Sequence, residues 1–454
     1  MKLTVYNETD EDLSFAFLKP GSTTYEASLS IAPHTSATSA VRSTSTTVRV
    51  NAQVSEKSDA ESVSIPSGSF TTFPLKLGAK WKSVRIPADS PWRMYRSKIS
   101  KGHYRLSVFP RRNLASFLSE MPDSLPLSSL LLPGTHDTMA FYGWPISQCQ
   151  SLSTPLNVQL HSGIRVLDVR LSVIDGRLLA YHGIYPQRSS FQDILRAVHD
   201  FLASPLSSRE TIVMSIKQED FTRTPLPYFS QCVHDEIMGG PGGRDMWFLE
   251  NRIPRLGEVR GKVVMLSRFG GDGTGWENGL EGLGIHPTAW PDSERNGFTW
   301  TLKGTLVRTH DWYSIPSFLS IPEKAQLSTE ILVLPPGEQP FPILNISFFS
   351  ASSVPLAFPP TIAKGFGWPN WGFGVEGVNG RVGRWLLDKL SGDQVHNRRT
   401  EKGEPLNLAG LGGGDVRIRG WTLMDFYREP EDGVVPLLVE CNFRGRNKGE
   451  EGWE

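Results

Sequence analysis

LLLPGTHDTMAFYG, residues 130–143, runs an apolar stretch straight into a histidine and an aspartate, His136 and Asp137. A buried strand accommodates the first half. The second half puts an ionisable pair at the rim of a core, where it must be paired or must work. Related runs recur downstream: SLLLPGTH (129–136), RVLDVRL (165–171), LLAYHG (178–183), TIVMSIK (211–217), KVVMLSR (262–268), TLVRTH (305–310), ILNISFFSA (343–351) and GWTLMDF (420–426). All are short and apolar, and several are β-branched. Between two of them lies SFQDILRAVHDFLAS, where Ser190 and Asp193 form a capping box and Phe191, Ile194, Leu195, Val198, Phe201 and Leu202 share a helical face. Strands alternating with helices indicate a parallel sheet, and about eight strands over roughly 330 residues indicate an α/β barrel of the TIM type, with insertions. In that architecture the C-terminal ends of the strands line one mouth. His136, Arg170, Lys217, Arg268 and Asp425 stand at or near such ends, too many for a core built for stability alone.

The chain reads differently before residue 105. KLTVYN, LSFAFL and TTVRVNAQV are short alternating runs broken by Pro, Gly and Ser, the pattern of a small all-β unit, expected to be a sandwich. The expected organisation is therefore an all-β domain over residues 1–105 and a barrel over residues 106–454. From Lys76 to Arg112 there are eleven Lys or Arg and one acid, Asp89. That run fits a solvated face first and a patch for anionic headgroups second. The whole chain has 454 residues and a formal net charge of +0, so its balance points to no nucleic-acid partner. Cys149, Cys232 and Cys441 form neither a disulfide framework nor a zinc spacing. MKLTVYNETDEDLSF carries charges where a signal peptide needs an apolar core, and no run of about 18 apolar residues occurs. The expected location is cytoplasmic or at the membrane periphery.

LDVRLSVIDGRLLAYHG carries a hairpin signal, Asp175-Gly176. A three-residue loop with Gly176 left-handed puts Asp168, Arg170 and His182 on one face. A two-residue turn shifts the register by one and sends His182 to the other face. A site containing all three thus calls for the longer loop or a bulge. Two histidines, an arginine and carboxylates in one mouth suit phosphodiester cleavage. One imidazole takes a proton from the attacking hydroxyl, and the other protonates the leaving alkoxide. A guanidinium holds the phosphoryl oxygens, and a carboxylate behind the base fixes its tautomer.

MPDSLPLSSLLLPGTHDT resembles the opening of the catalytic X domain of bacterial-type phosphatidylinositol-specific phospholipase C, and LDVRL, LLAYHG, MSIKQE and MLSRFG resemble later motifs of that family in the same order. The resemblance spans roughly residues 113 to 442. It implies a distorted TIM barrel and cleavage of phosphatidylinositol, or a related phosphodiester lipid, through an inositol 1,2-cyclic phosphate. By motif, His136 would be the general base and His182 the general acid. Arg170 would contact the phosphate, with Asp137 bridging to it and to the leaving group. Asp168, Lys217 and Arg268 would line the inositol and phosphate site. Asp425 in WTLMDFY resembles the aspartate that supports the base, and Asp292 in AWPDSERNGF is a candidate for inositol hydroxyls, with a local turn as its alternative. Metal-dependent relatives hold calcium with acidic residues near the position where this chain has Asp-Val-Arg, and a guanidinium supplies that positive charge covalently. No metal is therefore expected, and Ca²⁺ on Asp168 and Asp137 is the disfavoured alternative.

His310, in the Thr-His-Asp repeat RTHDW, reads as structural or peripheral, and GLGGGD (410–415) as a loop. Phe141, Tyr142 and Trp144 after the first motif, and Phe366, Trp368, Trp371 and Phe373 in FGWPNWGF, are candidates for contact with a membrane surface or for packing. Two other readings stay open: a binding protein for lipids or glycans that keeps the barrel, and a metal-dependent phosphodiesterase on the same barrel. Oligomeric state is not legible.

Overall fold

The structure is a computed structural model that describes residues 1–18, 25–41, 46–52, 67–72, 75, 79–334, 342–368, 371, 373–391, 417–446, 449 and 451–453. The GLGGGD segment lies outside the described residues.

The N-terminal runs form two facing sheets. One has five strands in the order Thr35–Ala40, Lys2–Asn7, His103–Pro110, Trp92–Ser100 and Trp81–Ser83; the other has four, Tyr25–Ile31, Leu13–Leu18, Thr46–Ala52 and Ser67–Thr72. Alternation sends Leu3, Val5, Leu13, Phe15, Val48, Val50, Leu106 and Val108 into the space between them. The strand His103–Pro110 runs across the boundary expected at residue 105.

The outer face of the five-stranded sheet is welded to the barrel. Trp81, Tyr95 and Phe109 join the barrel's own core. Trp81 Nε1 donates to Gly380 O at 2.6 Å, and Tyr95 Oη donates to Gly433 O at 3.2 Å. A Cβ on Gly383 would fall 2.1 Å from the Trp81 ring, so only glycine lets the helix Val378–Ser391 approach this closely. Part of the basic run is drawn onto the protein, while Lys80, Arg85, Lys98 and Lys101 are exposed as the solvated-face reading has them. Arg105 donates to Leu387 O and Asp388, Arg111 to the carbonyls of Pro87, Ala88 and Trp92, and Arg112 pairs with Glu120 and Glu440. These guanidiniums hold backbone and barrel rather than facing solvent.

Eight strands run parallel in the order Trp247–Phe248, Val263–Arg268, Ile212–Gln218, Val166–Ile174, Leu131–Thr135, Gly420–Met424, Ile343–Phe348 and Thr305–His310, with Phe298–Leu302 antiparallel at one edge. Among the described residues no ladder joins the Trp247 edge to the Phe298 edge, so the barrel is open along that seam, which is its distortion. One expectation is corrected here. LLAYHG is not a barrel strand; Arg177–His182 returns antiparallel on Val166–Ile174, and the remaining parallel place belongs to the two-residue strand Trp247–Phe248. The helix after the hairpin, Phe191–Ala203, has the expected capping box and buries the expected face. At the base, Arg165 is fully buried, pairs with Glu210 at 2.8 Å and donates to four carbonyls.

Candidate active site

Each site residue owes its place to a strand end. Gly134 lies where a Cβ would fall 2.4 Å from Thr422 O, so only glycine threads this strand between its neighbours and delivers His136 to the rim. Asp137 follows in left-handed conformation, φ 44°, one that aspartate adopts more readily than most residues. Its N–H donates to Asp168 Oδ2 at 3.0 Å.

The hairpin has the two-residue turn, Asp175-Gly176, with Leu171 opposite Ala180. That turn alone would send His182 to the other face, and the expected alternative, a bulge, is what lets His182 reach the site: the return strand is irregular just before it. Its pairing with the parent strand ends at Ala180, and the ladder to Tyr185–Ser190 is irregular between Leu179 and Tyr181. The last two residues of the return strand are thus released from the parent's face alternation. His182 Nδ1 lies 3.2 Å from Asp137 Oδ2 and donates to Ser147 O at 2.8 Å, since a carbonyl only accepts.

Arg170 is the centre of the arrangement. Its Nε donates to Asp168 Oδ2 at 3.1 Å, its Nη1 to Glu219 Oε1 at 3.2 Å with Asp137 Oδ2 at 3.4 Å, and its Nη2 to His136 Nε2 at 2.6 Å. Because Arg170 can only donate, His136 Nε2 is an acceptor and its proton sits on Nδ1, which donates to Asp425 Oδ1 at 2.8 Å. Burial first, and Arg170 second, hold the His136 imidazole well below its usual range, so it is a neutral base. Burial pushes Asp425 upward, and the nearby Asp137 adds to it. Burial also pushes Asp137 up, to about 6, against the opposing pull of His182 and Arg170. Asp168 behaves oppositely: although burial pushes upward, Arg170 and Arg268 outweigh it and hold the carboxyl low. The two histidine rings lie at right angles with centroids 6.4 Å apart.

These groups open onto a cavity of about 930 Å³ lined by His136, Arg170, His182, Lys217, Arg268 and Asp425, among others. The structure brings together all of the expected acid–base residues. Asp168 is the exception among the expected substrate contacts: it is fully buried behind Arg170 and Arg268 rather than on the cavity wall, and it orders those two guanidiniums. Lys217 and Arg268 do reach the wall, the latter stacked on Trp290 at 4.0 Å. Asp292 lines the cavity and accepts from the Tyr313 hydroxyl.

Four residues escaped the sequence reading. Glu219 ties Arg170 to Lys217, whose Nζ is 3.3 Å away, and Trp290, Asp311 and Tyr313 form one wall, with Trp290 Nε1 donating to Asp311 Oδ2 at 2.9 Å. Glu219 shares its face with Lys217 by strand alternation, and Asp311 is the first residue past the strand Thr305–His310; both signals were present. His310 itself is buried, bonded to Ser328 and Arg295 O, and pushed down to about 3 by burial, in keeping with a structural role. Of the aromatic candidates, Phe141 belongs to the core and Trp144 is 75% exposed. Trp368 and Trp371 do not border the mouth; they line a separate cavity of about 420 Å³ with Lys80 and Lys82 of the β unit. No helix among the described residues is long and apolar enough to cross a membrane.

The site thus sets two imidazoles and an arginine at the mouth of a distorted TIM barrel. No protein-family model matches the chain. Among curated proteins it is 33% identical over 158 residues to a 1-phosphatidylinositol phosphodiesterase of Listeria monocytogenes, covering 33% of this chain and 48% of that one. It is 25% identical over 166 residues to the Staphylococcus aureus protein of the same name, covering 34% of this chain and 51% of that one. The chain therefore spans about half the length of the curated relatives it matches. A solved structure of phosphatidylinositol-specific phospholipase C from S. aureus superimposes with a TM-score of 0.53 at 19% identity, over 73% of this chain and 98% of that one, which shows the shared fold. Over those matched stretches the chain is similar in sequence to bacterial 1-phosphatidylinositol phosphodiesterases, and over its barrel it shares the fold of the S. aureus structure.

Proposed function

We propose that the protein cleaves phosphatidylinositol or a closely related phosphodiester lipid, releasing the glycerol alkoxide as the inositol 2-hydroxyl closes a cyclic phosphate. A phosphoryl group entering the mouth takes the Arg170 donors, which frees His136 Nε2 to remove the hydroxyl proton. Asp425 receives the Nδ1 proton's hydrogen bond and stabilises the imidazolium that forms. His182, anchored through Nδ1, gives its Nε2 proton to the departing alkoxide, and Asp137 bridges it to Arg170. Lys217, Arg268, Asp311 and Tyr313 offer donors and acceptors for a polyhydroxylated headgroup. The observation that carries this reading is a single guanidinium flanked by two imidazoles, each backed by its own buried carboxylate.

Arg170 stands within 3.4 Å of Asp168, Glu219 and Asp137, so a fixed cation already serves the carboxylates that would hold Ca²⁺. The reaction is accordingly metal-independent. Exposed Ile146, Ile184, Phe221 and Val354 line the mouth as apolar groups and meet the lipid surface there, with exposed Trp144 two residues before Ile146. Phosphorus NMR with phosphatidylinositol in detergent micelles tests the whole reading. A cyclic inositol phosphate resonance is expected in EDTA and not with His136→Ala. A product formed only with Ca²⁺ refutes the role given to Arg170, and no product under either condition refutes the substrate.

A further inference from the structure

Three side chains behind the mouth match a geometry that acid–base catalysis does not require. Cys149 Sγ lies 3.8 Å from His182 Nδ1, and the same Nδ1 lies 3.2 Å from Asp137 Oδ2, with all three ligand atoms within 4.8 Å of one another. Tetrahedral Zn²⁺ with its usual bond lengths of about 2.3 Å to sulfur and about 2.0–2.2 Å to nitrogen and oxygen sets neighbouring ligand atoms roughly 3.3–3.6 Å apart. The trio is within a few tenths of an ångström of two such edges. Its chemistry is selective too: a thiolate, an imidazole and a carboxylate suit Zn²⁺ and not the hard cations Ca²⁺ or Mg²⁺.

The surrounding charge permits a cation. Asp137, Asp168 and Glu219 balance Arg170, Lys217 and Arg268, and a Cys149 thiolate adds a further negative charge for a cation to meet. Cys149 is also within 4.8 Å of His136 and Asp425 ligand atoms, so one sulfur adjoins both halves of the acid–base machinery. Arg170, 3.4 Å from Asp137 Oδ2, weakens the site relative to a structural zinc.

We propose that Asp137, Cys149 and His182 bind a thiophilic divalent cation of the Zn²⁺ class through His182 Nδ1, and that its binding silences the enzyme by replacing the imidazolium with a metal-bound neutral imidazole whose Nε2–H is too weak an acid, while taking Asp137 from Arg170. The silencing rests on the function proposed above; the metal site does not. Burial keeps the Cys149 thiol protonated, and His182 Nδ1 carries the proton it donates to Ser147 O. Both protons must leave to solvent as the metal binds, so affinity rises with pH.

Cobalt(II) added alone to the full chain reads the site without substrate. The expected result is a thiolate-to-cobalt charge-transfer band with tetrahedral d–d bands, bleached by Zn²⁺ and lost in Cys149→Ser. In the activity assay, Cys149→Ser should raise the Zn²⁺ concentration for half-inhibition at least tenfold. Cys149→Ala removes the same sulfur should a buried hydroxyl unsettle the fold. Absence of the band, or a band that survives both variants and so belongs to Cys232 or Cys441, overturns the proposal. A band in a protein that leaves phosphatidylinositol intact keeps the metal site and overturns the silencing.

Discussion

Asp425→Asn isolates what the carboxylate behind the base contributes. An asparagine can offer His136 Nδ1 either its oxygen or its amide. The amide would force the imidazole proton onto Nε2, where Arg170 Nη2 already donates from 2.6 Å, so two donors would face each other. The arginine therefore selects the amide oxygen, and the productive tautomer survives. What is lost is the difference between a hydrogen bond to a charged acceptor, worth about 1.5–3 kcal/mol, and a neutral one, worth about 1 kcal/mol. That difference of roughly 0.5–2 kcal/mol is a 2- to 30-fold fall in kcat. It is well short of the roughly 10⁴-fold loss seen where the same exchange inverts a catalytic tautomer. Because burial pushes the Asp425 carboxyl upward, the exchange removes a charge only above that raised range; there His136 becomes harder to protonate, and the acid limb of kcat/KM moves to lower pH. Cleavage of a water-soluble inositol phosphodiester, followed across pH, measures both effects. A fall beyond about 10³-fold would mean that Arg170 does not hold the tautomer, and an acid limb moved upward would refute the charge argument.

Arg170→Lys keeps a charge but not the fork that reaches Asp168, Glu219 and His136 together. A loss of about 10²–10³ in kcat is expected, comparable to removing one transition-state donor, in the same assay. Asp137→Asn should trade activity for stability: its folded-state carboxyl is raised to about 6, so its favourable contribution exists below the unfolded value near 4 and is lost as pH rises through 6. Urea unfolding at pH 7 should show the variant more stable by up to about 2–3 kcal/mol, and the gain should vanish at pH 4. Glu210→Gln leaves Arg165 buried beside a neutral partner and should cost about 3–5 kcal/mol, read as a lower urea midpoint with activity per folded molecule unchanged.

How much was legible follows from which forces act locally. Gly134 through Asp137, the capping box at Ser190 and the apolar face behind it are short-range patterns, and each sits where its spacing puts it. The strand ends that carry His136, Arg170, Lys217, Arg268 and Asp425 converge because parallel strands must end on one side. The failures are of another kind. Trp247–Phe248 is too short for any periodicity to register, although it fills the eighth parallel place. Within the basic run, Arg105 and Arg112 read as solvated in composition, because nothing local tells that Leu387 O and Glu440 will arrive from some 280 to 330 residues away. His182 is the most instructive case, and it is not a failure, because a bulge was one of the two geometries the site called for. The turn chemistry of Asp-Gly was read correctly as one of two choices, and the choice the chain made forbids the site by face alternation alone. Alternation binds a residue only while its strand is paired. Ending that pairing at Ala180 releases Tyr181 and His182, and Asp137 and Ser147 then determine where the imidazole lies. A general acid just past a bulge, paired with Tyr185 in a new ladder and held by one carboxylate and one carbonyl, has a place that turn chemistry narrows to a few alternatives and that tertiary contacts then fix.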